Sequence, residues 1–124
     1  MTRQELFDRV VQHCNRQGER SVVDASVPTF LRYCVYRNER SLKCGIGALM
    51  PDEVYEEVFE GKSVKDLPSE ALKACGFDLS RPYEMSFASD LQILHDDRTN
   101  WSGGRLLGRK VELMAKGWGL KVQN

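Results

Sequence analysis

The stretch that decides the predicted fold is Leu42-Lys43-Cys44-Gly45-Ile46-Gly47-Ala48-Leu49-Met50-Pro51-Asp52-Glu53-Val54-Tyr55. Over residues 42–46 the apolar side chains alternate with Lys43 and Gly45, which is the period of a half-buried strand. Pro51 suits the first position of a helix, because its missing N–H costs nothing there. The stretch therefore predicts a strand over 42–46 and a helix over 51–59.

The paired glycines of this stretch predict a recognition surface. Gly45 and Gly47 would lie on one face of the strand, and a glycine in a strand marks a place where another backbone or a ligand comes close. The aromatic side chains of Tyr33, Tyr36 and Tyr55 would complete such a surface. The predicted binding residues are Tyr36, Cys44, Gly45, Gly47, Asp52 and Tyr55.

Two blocks of the chain resemble a known family. Residues 43–55, followed by Glu60-Gly61 and by Leu91-Gln92-Ile93-Leu94-His95-Asp96, are similar to short uncharacterised proteins of bacteriophages and prophages. The residues that match the family pattern in the first block are Cys44, Gly47, Leu49, Pro51, Asp52, Glu53 and Tyr55. The resemblance implies a phage accessory protein in a bacterial cytoplasm, and it implies no activity and no catalytic residue.

A second apolar run precedes the first block. The runs at 31–37 and 42–46 are separated by four residues, which predicts an antiparallel hairpin. With Arg37 opposite Leu42, Cys34 and Cys44 point to opposite faces and stay unbridged, whereas a slip of one residue would bring them together. The four cysteines contain no C-x-x-C pair, so we expect free thiols and no metal.

Helical patterns account for most of the remaining chain. A capping box of Thr2 and Glu5 opens a helix over 3–17 that stops at Gly18. Further helices are predicted from about Pro68 to Cys75, over 82–96, and in a last segment that ends at Gly117. The predicted architecture is α+β, with about five helices packed around a small antiparallel β-hairpin in one domain, 1–124.

Composition narrows the possible partners. The chain has 124 residues with 18 basic and 18 acidic side chains, so no net charge attracts nucleic acid or an anionic membrane. It contains neither an apolar run of membrane-spanning length nor a signal-peptide pattern, so we expect a cytoplasmic protein. Gly45 and Gly47 lack the rest of a dinucleotide or phosphate-loop motif, and no cofactor is predicted.

Three functions remain open on the sequence. The leading hypothesis is a binding protein that acts without chemistry on a host protein or other host macromolecule, or that sequesters a small molecule. The first alternative is a thiol enzyme in which Cys44, His95 and Asp96 act as nucleophile, base and orienting group. The second is nucleic-acid binding through basic residues of the last helix, where the spacing would place two of them on one face. The residues of this last hypothesis are Arg105, Arg109 and Lys110.

Overall fold

The computed structural model describes residues 1–23 and 33–123. In this part of the chain the α-helices are α1 (Arg3–Gln17), α2 (Gly45–Leu49), α3 (Ser69–Cys75), α4 (Glu84–Asp96) and α5 (Gly108–Gly117). The strands are β1 (Trp101–Ser102) and β2 (Arg105–Leu106), which pair antiparallel. Short 3₁₀ turns occupy Glu57–Phe59, Val64–Asp66 and Arg98–Asn100. Five helices and one small hairpin confirm the predicted α+β class.

The first helix follows its local signals. Thr2 and Glu5 form the predicted capping box, in which each side chain bonds the backbone N–H of the other. Gly18 ends the helix in the left-handed region at φ 80°. Four residues of its apolar stripe, Leu6, Phe7, Val10 and Cys14, are buried. The boundaries agree with the prediction because they depend on contacts within one turn.

The predicted strand over 42–46 is wrong. Lys43 forms a single antiparallel bridge with Arg37, and a helix begins two residues later at Gly45. The thiol of Cys44 caps this helix by accepting the backbone N–H of Gly47 at 3.2 Å. The residues whose apolar alternation suggested a strand therefore belong to two different structures. Lys43 pairs as a single bridge, whereas Gly45 and Ile46 lie in the buried helix α2.

Residues 33–37 lie between two partners. Val22 bridges Cys34 and Arg37 bridges Lys43, both antiparallel. The second bridge is shifted by one residue from the predicted pairing of Arg37 with Leu42. Residues 31 and 32 of the predicted first strand lie outside the described part of the chain. All four cysteines are free thiols in this structure.

The predicted helix over 51–59 is also wrong. Glu56 adopts an extended conformation, with φ −137° and ψ 141°, and only Glu57–Phe59 closes a 3₁₀ turn. The chain bends so that the Tyr55 ring lies under the Arg37 guanidinium, at 4.7 Å, and its hydroxyl donates to Glu60 at 2.6 Å. The contacts of Tyr55 with Arg37 and Glu60 outweigh the local preference for a helix after a proline.

The hairpin of the structure lies elsewhere. Trp101 pairs with Leu106 and Ser102 with Arg105 around a turn of Gly103 and Gly104. Both glycines have positive φ, 61° and 76°, as a two-residue hairpin turn of the primed type requires. The hairpin leads directly from the end of α4 into α5.

The core is arranged around α4. This helix packs against α1, α2 and α5, and its Phe87, Ala88 and Leu91 are fully buried. Its C-terminal carbonyl groups are satisfied by side chains, because Asn100 donates to the Leu94 oxygen at 3.1 Å and Trp101 to the His95 oxygen at 2.8 Å. None of the described helices has both the length and the apolar character needed to cross a bilayer.

Candidate functional site

The predicted nucleophile, Cys44, lies in the core. Its side chain is 0% exposed, and its sulfur accepts the N–H of Gly47. Burial raises the pKa of this thiol well above its ordinary value, more than the hydrogen bonds from the helix lower it. A protonated, enclosed thiol is a poor nucleophile. The geometry gives Cys44 the role of a helix cap.

The paired glycines are places of close approach, but the approaching groups belong to this chain. A Cβ on Gly47 would lie 2.1 Å from the Tyr36 carbonyl oxygen, and one on Gly45 would lie 3.0 Å from Val10 Cγ1. Both glycines are buried. The protein therefore fills the predicted recognition surface around these glycines with its own backbone and side chains.

Two tyrosines of that predicted surface, Tyr36 and Tyr55, are engaged internally, whereas Tyr33 is 59% exposed. Tyr36 is 4% exposed and donates its hydroxyl to the Lys62 oxygen at 2.7 Å. The Glu60 carboxylate accepts from the backbone N–H groups of Tyr36 and Arg37 and from the Tyr55 hydroxyl. Of the predicted binding residues only Asp52 is largely exposed, and it pairs with Arg37 at 2.8 Å. The bonds of Glu60 and the Arg37–Asp52 ion pair hold the 33–37 segment against the loop over 51–60.

The other two residues of the catalytic hypothesis meet a different thiol. Each of Cys34, His95 and Asp96 has one side-chain atom that could bind a metal: the thiol sulfur, a ring nitrogen and a carboxylate oxygen. These three atoms lie within 4.8 Å of one another. Cys34 is half-buried, and its sulfur lies 3.6 Å from the Asp96 carbonyl oxygen and 3.6 Å from Arg20 Nη1. Arg20 also donates to the Asp96 carbonyl oxygen at 2.9 Å. Cys34, not Cys44, is thus the thiol placed with the imidazole and the carboxylate.

The hydrogen bonds of His95 define its tautomer. The backbone N–H of Ser21 donates to Nε2 at 2.9 Å, so Nε2 carries no proton. Nδ1 therefore carries the proton and donates it to Asp96 Oδ1 at 2.6 Å. His95 is 0% exposed, and its ring meets Trp101 edge-on at 6.1 Å between centroids. Both ring nitrogens are engaged in bonds that join the 20–21 segment to the end of α4.

This geometry supports neither a catalytic thiol nor a metal centre. A general base needs a free ring nitrogen facing the thiol, and burial together with the Asp96 charge raises the pKa of Cys34 to about 12. A metal on Nδ1 would require the proton to move to Nε2, where it would face the Ser21 N–H. The Arg20 guanidinium beside the sulfur also opposes a second cation. The contacts of Cys34, Arg20 and His95 join residues 20–21 and Cys34 to the C-terminal end of α4.

The basic residues of the nucleic-acid hypothesis are divided between two elements. Arg105 belongs to β2, whereas Arg109 and Lys110 lie in the first turn of α5, which begins at Gly108. The predicted placement of Arg105 and Arg109 on one helix face is therefore wrong. Lys110 lines a groove between α4 and α5, together with apolar residues such as Leu94 and Leu113.

Two concavities border the outer face of α4. The first, the α4–α5 groove, has a volume of about 450 Å³. Its lining includes Asp90, Ile93, Leu94, Leu113, Met114 and Trp118. The second, the Cys34 cleft, has a volume of about 500 Å³ and lies among residues 33–36, the 60–65 loop and α4. Ile93 lines both.

Sequence reasoning missed Cys34, Arg20 and the two concavities. A signal for Cys34 existed, because the predicted strand placed it on the face away from the core, where a thiol is more accessible. Arg20 lay in a segment without a periodic pattern. The concavities depend on how α4 packs with α5 and with the 60–65 loop, which local patterns do not encode.

Comparison of the chain with protein-family models, with curated proteins and with solved structures found no match.

Proposed function

We propose that this is a binding protein that acts without chemistry on a protein of a bacterial host, and that the α4–α5 groove is its contact surface. One observation carries the proposal. Ile93 and Leu113, one from each helix, are 57% and 68% exposed and face the same groove. Together with the apolar lining of the groove they form a contiguous apolar surface, and large surfaces of this kind mark interaction sites on soluble proteins.

The shape and charge of the groove support a helical partner segment. Leu94, Met114 and Trp118 form an apolar floor between two helices, a site that suits the apolar face of a third helix. On the α4 side the groove carries Asp97 and Asp90, which also accepts the Trp118 indole N–H at 2.8 Å, and Lys110 lies on the α5 side. Hydrogen bonds from Thr99 lower the pKa of Asp97, so its carboxylate is ionised at neutral pH. The expected partner segment is an amphipathic helix with lysine or arginine beside its apolar face.

The cellular setting of the proposal comes from the sequence resemblance. The blocks at 43–55 and 91–96 resemble phage and prophage proteins, which supports an accessory protein in the bacterial cytoplasm. A thiol enzyme is less well supported, because the Cys44 sulfur is enclosed and the His95 nitrogens are engaged. Nucleic-acid binding is less well supported because Arg105 lies outside α5.

The experiment uses a photo-crosslinking amino acid at Leu113 of the full chain in living host bacteria. We expect one host protein to be crosslinked, with the attachment site in a segment whose apolar residues recur at helical spacing. A synthetic peptide of that segment should bind the purified protein with Kd below about 10 μM and should quench or shift Trp118 fluorescence.

Matched variants test whether the groove is responsible. Ile93→Asp should weaken peptide binding at least about tenfold, because it places a charge in an apolar contact. Val58 is 62% exposed and lies outside the groove, so Val58→Asp should bind like the wild type. Equal binding by both variants, or crosslinks without a common host protein, would overturn the proposal.

A further inference from the structure

The Cys34 cleft is a second site, with a character different from that of the α4–α5 groove. Ser89, Gln92, Ile93 and Asp96 recur at helical spacing on α4 and form one side of the cleft, including its floor. The opposite side is formed by residues 33–36 and the 60–65 loop. Its volume of about 500 Å³ falls within the roughly 300–1,000 Å³ of small-molecule sites.

The floor of the cleft presents a positioned carboxylate. Asp96 Oδ1 accepts from His95 Nδ1 at 2.6 Å, and both carboxylate oxygens accept from Gln92 Nε2 at 3.1 Å. The Asp96 side chain is 35% exposed. A carboxylate has about four acceptor positions, so these bonds leave capacity for a donor from a ligand. The floor therefore suits an amine or amide group.

The rim of the cleft is basic. Lys62 and Lys65 are exposed, and the ion pairs found among residues 1–23 and 33–123 include neither of them. The nearby Glu60 carboxylate is directed to the backbone of Tyr36 and Arg37 and to the Tyr55 hydroxyl. Lys62 and Lys65 therefore supply positive charge at the edge of the cleft that an anionic ligand group can use.

Two exposed side chains supply apolar surface beside these charges. Tyr33 is 59% exposed and Ile93 is 57% exposed, and both line the cleft. An exposed tyrosine ring offers a stacking surface for a flat heterocycle. A lone inorganic anion would use the lysines and leave Tyr33 and Asp96 without a role.

We propose that the Cys34 cleft binds a nucleotide. The base lies against Tyr33 and Ile93, a base amine donates to Asp96, and the phosphate pairs with Lys62 and Lys65. This site goes beyond the proposed protein partner, because the groove residue Leu113 does not line the cleft.

The test is isothermal titration of the full chain with adenosine 5′-monophosphate. We expect saturable binding with Kd below about 1 mM. Adenosine, which lacks the phosphate, and ribose 5-phosphate, which lacks the base, should each bind at least about tenfold more weakly. Absence of saturable binding with this nucleotide, or equal binding of adenosine, would overturn the proposal.

Exposed residues allow variants that keep the fold. Lys62→Ala combined with Lys65→Ala should weaken nucleotide binding at least about tenfold, and Tyr33→Ala at least about fivefold. The matched control is Lys73→Ala with Lys116→Ala, which removes two exposed lysines of α3 and α5 and should change nothing. Leu113→Asp should also leave nucleotide binding unchanged, even where it abolishes peptide binding. Nucleotide binding that survives loss of Lys62 and Lys65 contradicts the assignment.

Discussion

Gly47 lies against the backbone of Tyr36 so closely that a Cβ at Gly47 would stand 2.1 Å from the Tyr36 carbonyl oxygen. The same carbonyl accepts the Cys44 N–H at 3.1 Å. The turn of α2 and the 33–37 segment are therefore in direct backbone contact, with no room for a side chain between them.

This contact makes Gly47→Ala strongly destabilising. Backbone on both sides of the contact cannot move aside as a side chain can, so we expect a loss of more than about 3 kcal/mol in urea unfolding. Gly45→Ala should cost less, because its Cβ would meet the movable Val10 side chain at 3.0 Å. Gly117→Ala is the control: nothing lies within 4 Å, and alanine favours the helix by up to about 1 kcal/mol. Equal stabilities of the Gly47 and Gly117 variants would contradict this account.

Cys34 should be the thiol that reacts in the native protein. Cys14, Cys44 and Cys75 are buried, whereas Cys34 is half-buried at the cleft. Its pKa, raised to about 12 by burial and by Asp96, makes the reaction slow at neutral pH. A disulfide reagent should therefore modify one thiol slowly in the native state and four after denaturation. Cys34→Ser should abolish the native reaction, and rapid modification of that variant would show that a buried thiol is accessible.

The imidazole of His95 should contribute to stability through both nitrogens. His95→Leu leaves the buried Ser21 N–H without its acceptor and removes the donor to Asp96. We expect a loss of about 2–4 kcal/mol in chemical unfolding. His95→Gln, whose amide has a donor and an acceptor, should lose less. A leucine variant as stable as the wild type would show that these bonds add no net stability.

His13 should make the protein less stable in mild acid. Burial lowers the pKa of His13 below 6.5, more than its hydrogen bond to the Lys43 oxygen raises it. Because the unfolded chain takes up this proton first, the contribution of His13 is complete above about pH 6.5 and is lost as the pH falls through the folded-state pKa. Each unit of pKa difference corresponds to about 1.4 kcal/mol.

The matched variant for this prediction is His13→Gln, which does not titrate and keeps a donor for Lys43. The difference in unfolding free energy between about pH 7.5 and about pH 5.5 should be larger for the wild type than for the variant. The same pH dependence in both proteins would mean that His13 keeps its ordinary pKa in the folded state.

Elements with local signals could be predicted from the sequence. The capping box at Thr2 and the left-handed stop at Gly18 define α1 within a few residues of chain. Gly76 similarly ends α3 at φ 108°. In each case the group that sets the helix boundary lies within a few residues of that boundary in the sequence. The boundary can therefore be predicted without knowing how the helix packs.

The 42–59 region could not be predicted, because contacts that its apolar pattern does not encode, above all those with Tyr36 and Arg37, decide its conformation. The alternation around Lys43 resembles a strand, but a sulfur cap from Cys44 and the close contact of Gly47 with Tyr36 select a short helix. The bend after Pro51 depends on Arg37 and Glu60. A signal for the actual hairpin was present in Gly103-Gly104, a dipeptide typical of two-residue hairpin turns.

The candidate site illustrates the same limit. His95 and Asp96 stood out in the sequence, and the structure does place them together with a thiol. Which cysteine joins them depends on the path of residues 33–37 across the end of α4. Sequence spacing identified the residue types but not the partner.

Ile93 lines both concavities, so the proposed helix in the groove and the proposed nucleotide in the cleft would share one contact. A helix seated in the groove and a nucleotide in the cleft would both contact this one side chain, so each would alter the affinity of the other by the same factor. The two proposals together thus predict a regulated binding protein, in which nucleotide in the cleft changes how tightly the groove holds its partner.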